Sequence, residues 1–148
     1  LLNTIASSFS SFAKMPMAVV ETIDLKILIL QAVELYKEEA NIKVNLPEKN
    51  LEAKADASIL LSVFSNLILN AVQAKDDTRN LLLMIKVNEL EAYWEILFED
   101  NGTGIEEEKI NKIFLPHFTT KASGSGLGLA IAKQAIEQMG GSIVVRSI

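Results

Sequence analysis

The sequence predicts an α+β fold, a two-layer α/β sandwich in which a mixed, mostly antiparallel sheet carries helices on one face. Three observations lead there. Apolar residues at helical spacing mark helices near 24–40, 56–75 and 127–139. Alternation of apolar and polar residues marks strands near 41–46, 81–87 and 93–98. Five of the seven glycines fall between residues 100 and 128, with apolar runs on either side, so a loop-rich site is set between core elements.

Taken in order, residues 1–14 place Leu2, Ile5, Phe9 and Phe12 at helical spacing, and Pro16 stops that helix. Val19 to Ile23 is short and extended. Asp24 caps a helix to about Ala40 with Leu25, Leu28, Ala32 and Tyr36 on one face. Ile42, Val44 and Leu46 alternate with polar neighbours, and a short strand follows near Leu51 to Ala53. The helix from Asp56 to Lys75 buries Leu60, Phe64, Leu67, Ile68 and Ala71. Leu81 to Val87 and Tyr93 to Phe98 read as a hairpin that delivers Glu99 and Asp100 at its end. Glu106 to Ile113 is a short helix with acidic residues in its first turn, where the dipole favours them. Residues 116–123 are polar and aperiodic, as in a mobile loop or lid. The helix 127–139 turns Ile131, Ala135, Ile136 and Met139 inward, Gly140-Gly141 ends it, and Ile143 to Ile148 starts a strand.

Composition narrows the function classes. Hydrophobic content is 49%, so the chain has the material for a core, and 148 residues suit one domain. The net charge of −5 comes without a clustered basic patch, which argues against nucleic acid. The absence of cysteine excludes disulfides and thiolate metal sites. No apolar run approaches the roughly 18–20 residues that span a bilayer. A start at Leu1 with no signal-peptide pattern predicts a piece of a longer protein.

Two stretches carry chemistry. Asp100-Asn101-Gly102-Thr103-Gly104-Ile105 and Gly124-Ser125-Gly126-Leu127-Gly128-Leu129 are glycine clusters, which serve positive φ or a backbone close to a ligand. The second runs into a helix whose N-terminal N–H groups suit a phosphate. On the helix before them, Ser62, Asn66, Asn70 and Gln73 form a polar stripe at the edge of the buried face. Asparagine is a mediocre helix former. Such a stripe either bonds loop backbone or faces a ligand or metal.

In order along the chain, these segments resemble the ATP-binding catalytic domain of bacterial sensor histidine kinases, within the GHKL ATPase superfamily. Asn66-Leu67-Ile68-Leu69-Asn70-Ala71-Val72-Gln73-Ala74 resembles its asparagine box, and the two glycine clusters its two glycine boxes. Phe114 to Lys121 resembles its phenylalanine box and the start of its lid. The flank Phe9 to Pro16 is similar to nitrogen-regulation-type kinases, where it ends the second helix of the dimerisation hairpin. The resemblance implies the Bergerat ATP-binding fold, with residues 1–16 as hairpin end and linker and 17–148 as the catalytic domain. It also implies that a last strand beyond Ile148 is missing.

What the resemblance implies for the site fits the residue types. Asp100 accepts from the adenine amino group, a donor that guanine lacks there. Gly102 and Gly104 let the backbone close on the base. Asn70 offers a neutral oxygen to Mg²⁺, which takes few protein ligands and keeps phosphates and waters. Asn66 and Gln73 orient a phosphate or a metal-bound water, and Lys121 supplies a point charge to the outer phosphates. Gly124, Gly126 and Gly128 wrap the phosphates in backbone N–H groups. Ile105, Phe118, Thr119, Thr120, Ser125 and Leu127 complete the implied nucleotide-binding set, and Asn66, Asn70 and Lys121 the catalytic one. Thr119 and Thr120 serve either a phosphate contact or simple lid solubility.

The implied partners are a phosphoacceptor hairpin of the same protein and a response regulator. The full-length protein is expected to be a homodimer, with this part cytoplasmic whether or not a membrane anchor precedes it. His117, the only histidine, is not expected to be the phosphoacceptor, because the family's acceptor lies on the first hairpin helix before a Glu. The alternative is a conformational-clamp ATPase of the same superfamily. Those proteins carry a general-base Glu four residues before the metal-binding Asn; here Asn66 stands there, and an amide cannot take water's proton. An anti-sigma-factor serine kinase is disfavoured by the hairpin-like flank.

Overall fold

The structure is a computed structural model that describes residues 17–122 and 124–148. The expected hairpin end at 1–16 and Ser123 lie outside the described residues. The chain divides into two compact units, Val20–Gly104 and one that includes Ile105–Ile148.

The first unit contains β1 (Glu21–Asp24), α1 (Leu25–Tyr36), β2 (Asn41–Asn45), β3 (Glu52–Ala55), α2 (Ala57–Gln73), β4 (Leu82–Glu89) and β5 (Trp94–Asp100). The strands form two sheets rather than the single one expected. β1 pairs antiparallel with β3, and the second sheet has the order β2-β4-β5. β2 runs parallel to β4, because β3 and α2 make the crossover between them, and β4 and β5 form the antiparallel hairpin.

Register fixes the faces. Directly opposed residues share a face, so Ile42, Val44, Leu83, Ile85, Val87, Ile96 and Phe98 lie together. Leu83 and Ile85 are fully buried. The opposite face mixes Leu82, Met84 and Leu97 with Asn41, Lys43, Asn45, Glu95, Glu99 and Lys86, whose Nζ lies 2.7 Å from Glu99 Oε2. The helices cover the apolar face. Phe64 of α2 meets Phe98 with ring centroids 5.6 Å apart, and α1 packs along α2.

α1 buries Leu25, Leu28, Ile29 and Ala32. It stops at Tyr36, four residues before the expected end. Glu39 and Ala40 N–H both turn back to Tyr36 O, because Lys37-Glu38-Glu39 offer no apolar side chain to hold another turn against α2. α2 buries Leu60, Val63, Phe64, Ile68 and Ala71; Leu67, expected inside, is half-buried and Val63 takes its place.

In the second unit α3 is a single turn, Glu107–Ile110, shorter than the expected 106–113. The chain continues in tight turns, with Lys112 N bonded to Lys109 O and Leu115 N to Lys112 O. α4 (Gly128–Gln138) buries Ala130, Ala132 and Ala135. Ile131, Ile136 and Met139, expected inward, are half-buried, because close packing selects the alanine side. Gly140, with φ 83°, ends α4, and Gly141 N–H reaches back to Ile136 O at 2.9 Å. Residues 143–148 alternate half-buried and exposed as a strand would, but no ladder forms on them among the described residues. The same unit is tied at its ends by Ile105 N–H donating to Ser147 Oγ at 2.7 Å. Among the described residues no helix is long and apolar enough to cross a membrane.

α2 starts at Asp56, a buried carboxylate whose Oδ1 accepts from Ser58 N, Ile59 N and Ser58 Oγ at 3.0, 3.1 and 2.8 Å. Asp56→Ala should lower unfolding free energy by about 1–2 kcal/mol in urea titration. Asp56→Asn keeps an accepting oxygen and should lose less; equal losses would show that the cap is not what Asp56 supplies.

Candidate functional site

In the first unit the site begins on α2. Asn66 and Asn70 are half-buried, while Ser62 and Gln73 are exposed. Asn66 Nδ2 is sealed from solvent and donates to no acceptor among the described residues. A donor in that state costs about 1–3 kcal/mol unless something accepts from it. Asn70 Nδ2 is shut off from solvent as well.

The C-terminus of α2 is joined to the strand end that carries Asp100. Ala74 N–H bonds to Asn70 O and Ala71 O, and Ala74 O accepts from Thr103 N at 2.8 Å. Gly102 lies so close that a β-carbon would run into Ala74 O and sit 2.7 Å from Asp100 Oδ1. Asp100 Oδ1 accepts from Gly102 N at 2.9 Å, an Asx turn. Register puts Asp100 opposite Leu83, on the helix-covered face, at the exposed end of the sheet. Asp100 Oδ2 has no hydrogen-bond partner among the described residues, so one oxygen holds the loop and the other is available to a donor. Gly104 follows with φ 73°.

Asn101 had no role in the sequence reading. Its Oδ1 accepts from Leu82 N at 2.7 Å and its Nδ2 donates to Asn80 O at 3.0 Å, which closes the end of the β4–β5 pair. The signal available was an Asn directly after a strand, where its amide can replace the next ladder bond.

In the second unit the lid and the second glycine cluster fold on each other. Thr119 Oγ1 accepts from Lys121 N at 3.0 Å, and Gly124 N bonds to Lys121 O at 3.2 Å. A β-carbon on Gly124 would sit 2.6 Å from Thr119 Oγ1. Phe118 is half-buried, with its N–H on Leu115 O, and Thr120 and Ser125 are exposed. Ser125 Oγ accepts from Leu127 N at 3.4 Å; Leu127 is buried and anchors the entry to α4, whose first residue is Gly128. Ile105 is half-buried beside Ser147. Lys121 is half-buried, and burial lowers its pKa from the ordinary 10.5. Its ammonium is therefore held under a desolvation cost that a nearby anion would relieve.

The structure thus ties Asn66, Asn70 and Gln73 to Asp100, Gly102 and Gly104 through Ala74 in one unit. In the other it brings Phe118, Thr119, Thr120 and Lys121 together with Gly124, Ser125, Gly126, Leu127 and Gly128. Among the described residues no three His, Asp or Glu side chains cluster as a metal cage.

Residues 55–148 match the family model described as histidine kinase-, DNA gyrase B- and HSP90-like ATPase. The chain belongs to this ATPase family. Among curated relatives of this ATPase-family chain, it is 34% identical to the sensor histidine kinase ZraS of Escherichia coli O157:H7, over 99% of the chain and 33% of that protein. It is 31% identical to the nitrogen regulation protein NtrY of Azorhizobium caulinodans, over 96% of the chain and 19% of that protein. The chain therefore spans about a third of ZraS and a fifth of NtrY. The nucleotide-free catalytic domain of histidine kinase ThkA superposes with a TM-score of 0.73 at 29% identity, covering 81% of each chain. ThkA in complex with the response regulator protein TrrA gives 0.77 at 26% identity, over 95% of this chain and 41% of that one. The mixed α/β fold of this ATPase-family member is that of histidine kinase catalytic domains.

The lowered pKa of Lys121 gives a signed prediction. Between its folded value and 10.5 the unfolded chain binds more protons, so this residue makes stability rise with pH in that window. A phosphate bound beside it should raise the folded pKa. Nuclear magnetic resonance of the Lys121 side chain should show an upward shift with ATP and none with adenosine; the same titration curve in both would remove Lys121 from the phosphate site.

Proposed function

We propose that this chain is the ATP-binding catalytic domain of a two-component sensor histidine kinase. It binds Mg·ATP and passes the γ-phosphoryl group to a histidine on a dimerisation hairpin of the same protein, which then supplies a response regulator. The observation that carries the reading is Asn66: an amide at the position where clamp ATPases carry their general base, with its Nδ2 buried and lacking an acceptor. A phosphate oxygen is the acceptor that such a donor lacks.

The roles follow from the residues. The open oxygen of Asp100 takes the adenine amino group, and Gly102 keeps that approach clear. Asn66 donates to a phosphate, and Gln73 lies along the same stripe. Asn70 would hold the metal, which when bound neutralises charge on the outer phosphates. Lys121 adds a point charge, and the N–H groups at Gly126 and Gly128 wrap the phosphates, while Gly124, whose N–H goes to Lys121 O, shapes the loop. Phe118, Thr119, Thr120 and Ser125 belong to the closing lid and loop, and Ile105 and Leu127 to their apolar walls.

In the transfer, an imidazole nitrogen forms a bond to the γ-phosphorus with its own lone pair. The bond to the bridging oxygen breaks, and ADP leaves with that electron pair. No base is needed for the attack, so positioning and charge neutralisation suffice. The domain layout follows, with 1–16 as hairpin end and 17–148 as catalytic domain, in a cytoplasmic part of a homodimeric protein.

Asp100→Ala should weaken ATP by about 1.5–3 kcal/mol in calorimetric titration, with the fold intact. The chain alone should hydrolyse ATP very slowly and stay unlabelled by γ-labelled ATP. Addition of the full-length protein's hairpin should place acid-labile phosphate on that hairpin. Equal ATP affinity in the native chain and Asp100→Ala would remove the adenine assignment. Brisk hydrolysis that survives Asn66→Ala would move the chain to the clamp ATPases.

A further inference from the structure

Among the described residues, His117 is the non-glycine residue with a left-handed backbone, φ 65°. That region is unfavourable for an L-residue. Histidine, asparagine and aspartate are enriched there, and β-branched residues are outliers. Nine positions later Gly126 is left-handed too, at φ 67°. The two backbones lie against each other: a β-carbon on Gly126 would run into the His117 carbonyl carbon and sit 2.7 Å from its Cα and 2.8 Å from its oxygen. Between them, Gly124 seats on Thr119 Oγ1, and Lys121 bonds to both Thr119 and Gly124. The reversal at His117 is what lays the lid on the loop that opens α4.

We infer that His117 is a positioning residue that acts through its backbone. Its left-handed turn holds the Gly126 turn in the shape that aims the N–H groups of Gly126 and Gly128 at a phosphate chain. A side chain that resists positive φ shifts residues 117–121 out of that arrangement. The competent fraction of the loop falls, and the apparent affinity for phosphates falls by the same factor. The identity of the ligand rests on the ATP reading; the latch between His117 and Gly126 does not.

The test uses the chain 1–148 as native protein and as His117→Val, His117→Gly and His117→Asn. Two quantities are read: amide exchange at 126–129 without nucleotide, and dissociation constants for ATP and adenosine. His117→Val should speed exchange and weaken ATP by about tenfold each, the factor that the left-handed penalty implies. Adenosine, which reports the Asp100 side without phosphates, should stay within about twofold. His117→Gly and His117→Asn tolerate positive φ and should remain within about threefold of native in every measurement. Native behaviour of His117→Val overturns the proposal. So does a loss in His117→Gly as large as in His117→Val, since the imidazole would then be the active part. Equal losses of ATP and adenosine reduce the residue to a structural one and overturn it too. If the native chain prefers ATP to adenosine not at all while exchange still separates valine from glycine, the phosphate role falls together with the ATP reading, and the two failures are told apart by the exchange data.

Discussion

The hydrogen bond from Thr103 N to Ala74 O is the contact on which the first unit's site depends. The carbonyls of a helix's last turn have no partner within the helix. At the end of α2, one of them is met by the backbone just past β5, at 2.8 Å. The approach is possible only because Gly102 has no β-carbon to strike Ala74 O. Asp100 holds that backbone in shape through its bond to Gly102 N, and Asn101 pins the other side to β4. One hydrogen bond thus fixes the asparagine stripe of α2 relative to a carboxylate that belongs to a different element. A larger residue at 102 would separate them.

The sheet sets the other coordinate of Asp100. A strand shifted by one residue turns every side chain to the opposite face. In the observed register Phe98 meets Phe64, and Asp100, two residues on, emerges on the same helix-covered side. Glu99 goes to the opposite face and pairs with Lys86. The aromatic contact and the ion pair select the same register from opposite faces. The burial of Ile85 and Leu83 supplies most of the force, since an exposed ion pair contributes little by itself.

Much of this was legible in the sequence because it is periodic or punctuated. The Asp24 cap, the stripe Asn66-Asn70-Gln73, the β4–β5 hairpin and both glycine clusters are local patterns, and each lies where the sequence places it. What escaped depends on contacts distant in the chain. The parallel pairing of β2 with β4 cannot be deduced from the pattern of either strand. The inward side of α4 is chosen by packing, which prefers Ala130, Ala132 and Ala135 to the larger Ile131 and Ile136. Residues 143–148 have the alternation of a strand, but alternation says nothing about whether a neighbour is present to pair with it. The left-handed backbone of His117 was not legible, because histidine tolerates that region but does not require it, and its close approach to Gly126 is a contact distant in the chain.

The electrostatics of the proposed site follow from a chain that is itself acidic. At a net charge of −5, a triphosphate meets general repulsion, so attraction has to be local. Carboxylates near the phosphates would worsen it, and on the proposed reading α2 meets them with amides instead: Asn66, Asn70 and Gln73 present dipoles with no net charge. The backbone N–H groups at Gly126 and Gly128 work in the same way, as fixed partial charges that need no counterion. The full cation in the set is Lys121, and burial raises the cost of its ammonium. Binding an anion offsets that cost, whereas a fully solvated lysine would have less to recover. In the proposed site the carboxylate, Asp100, is assigned to the adenine, the neutral end of the nucleotide. On that reading an aspartate in place of Asn70 would put a negative charge beside the phosphates and remove the neutral amide proposed for the metal.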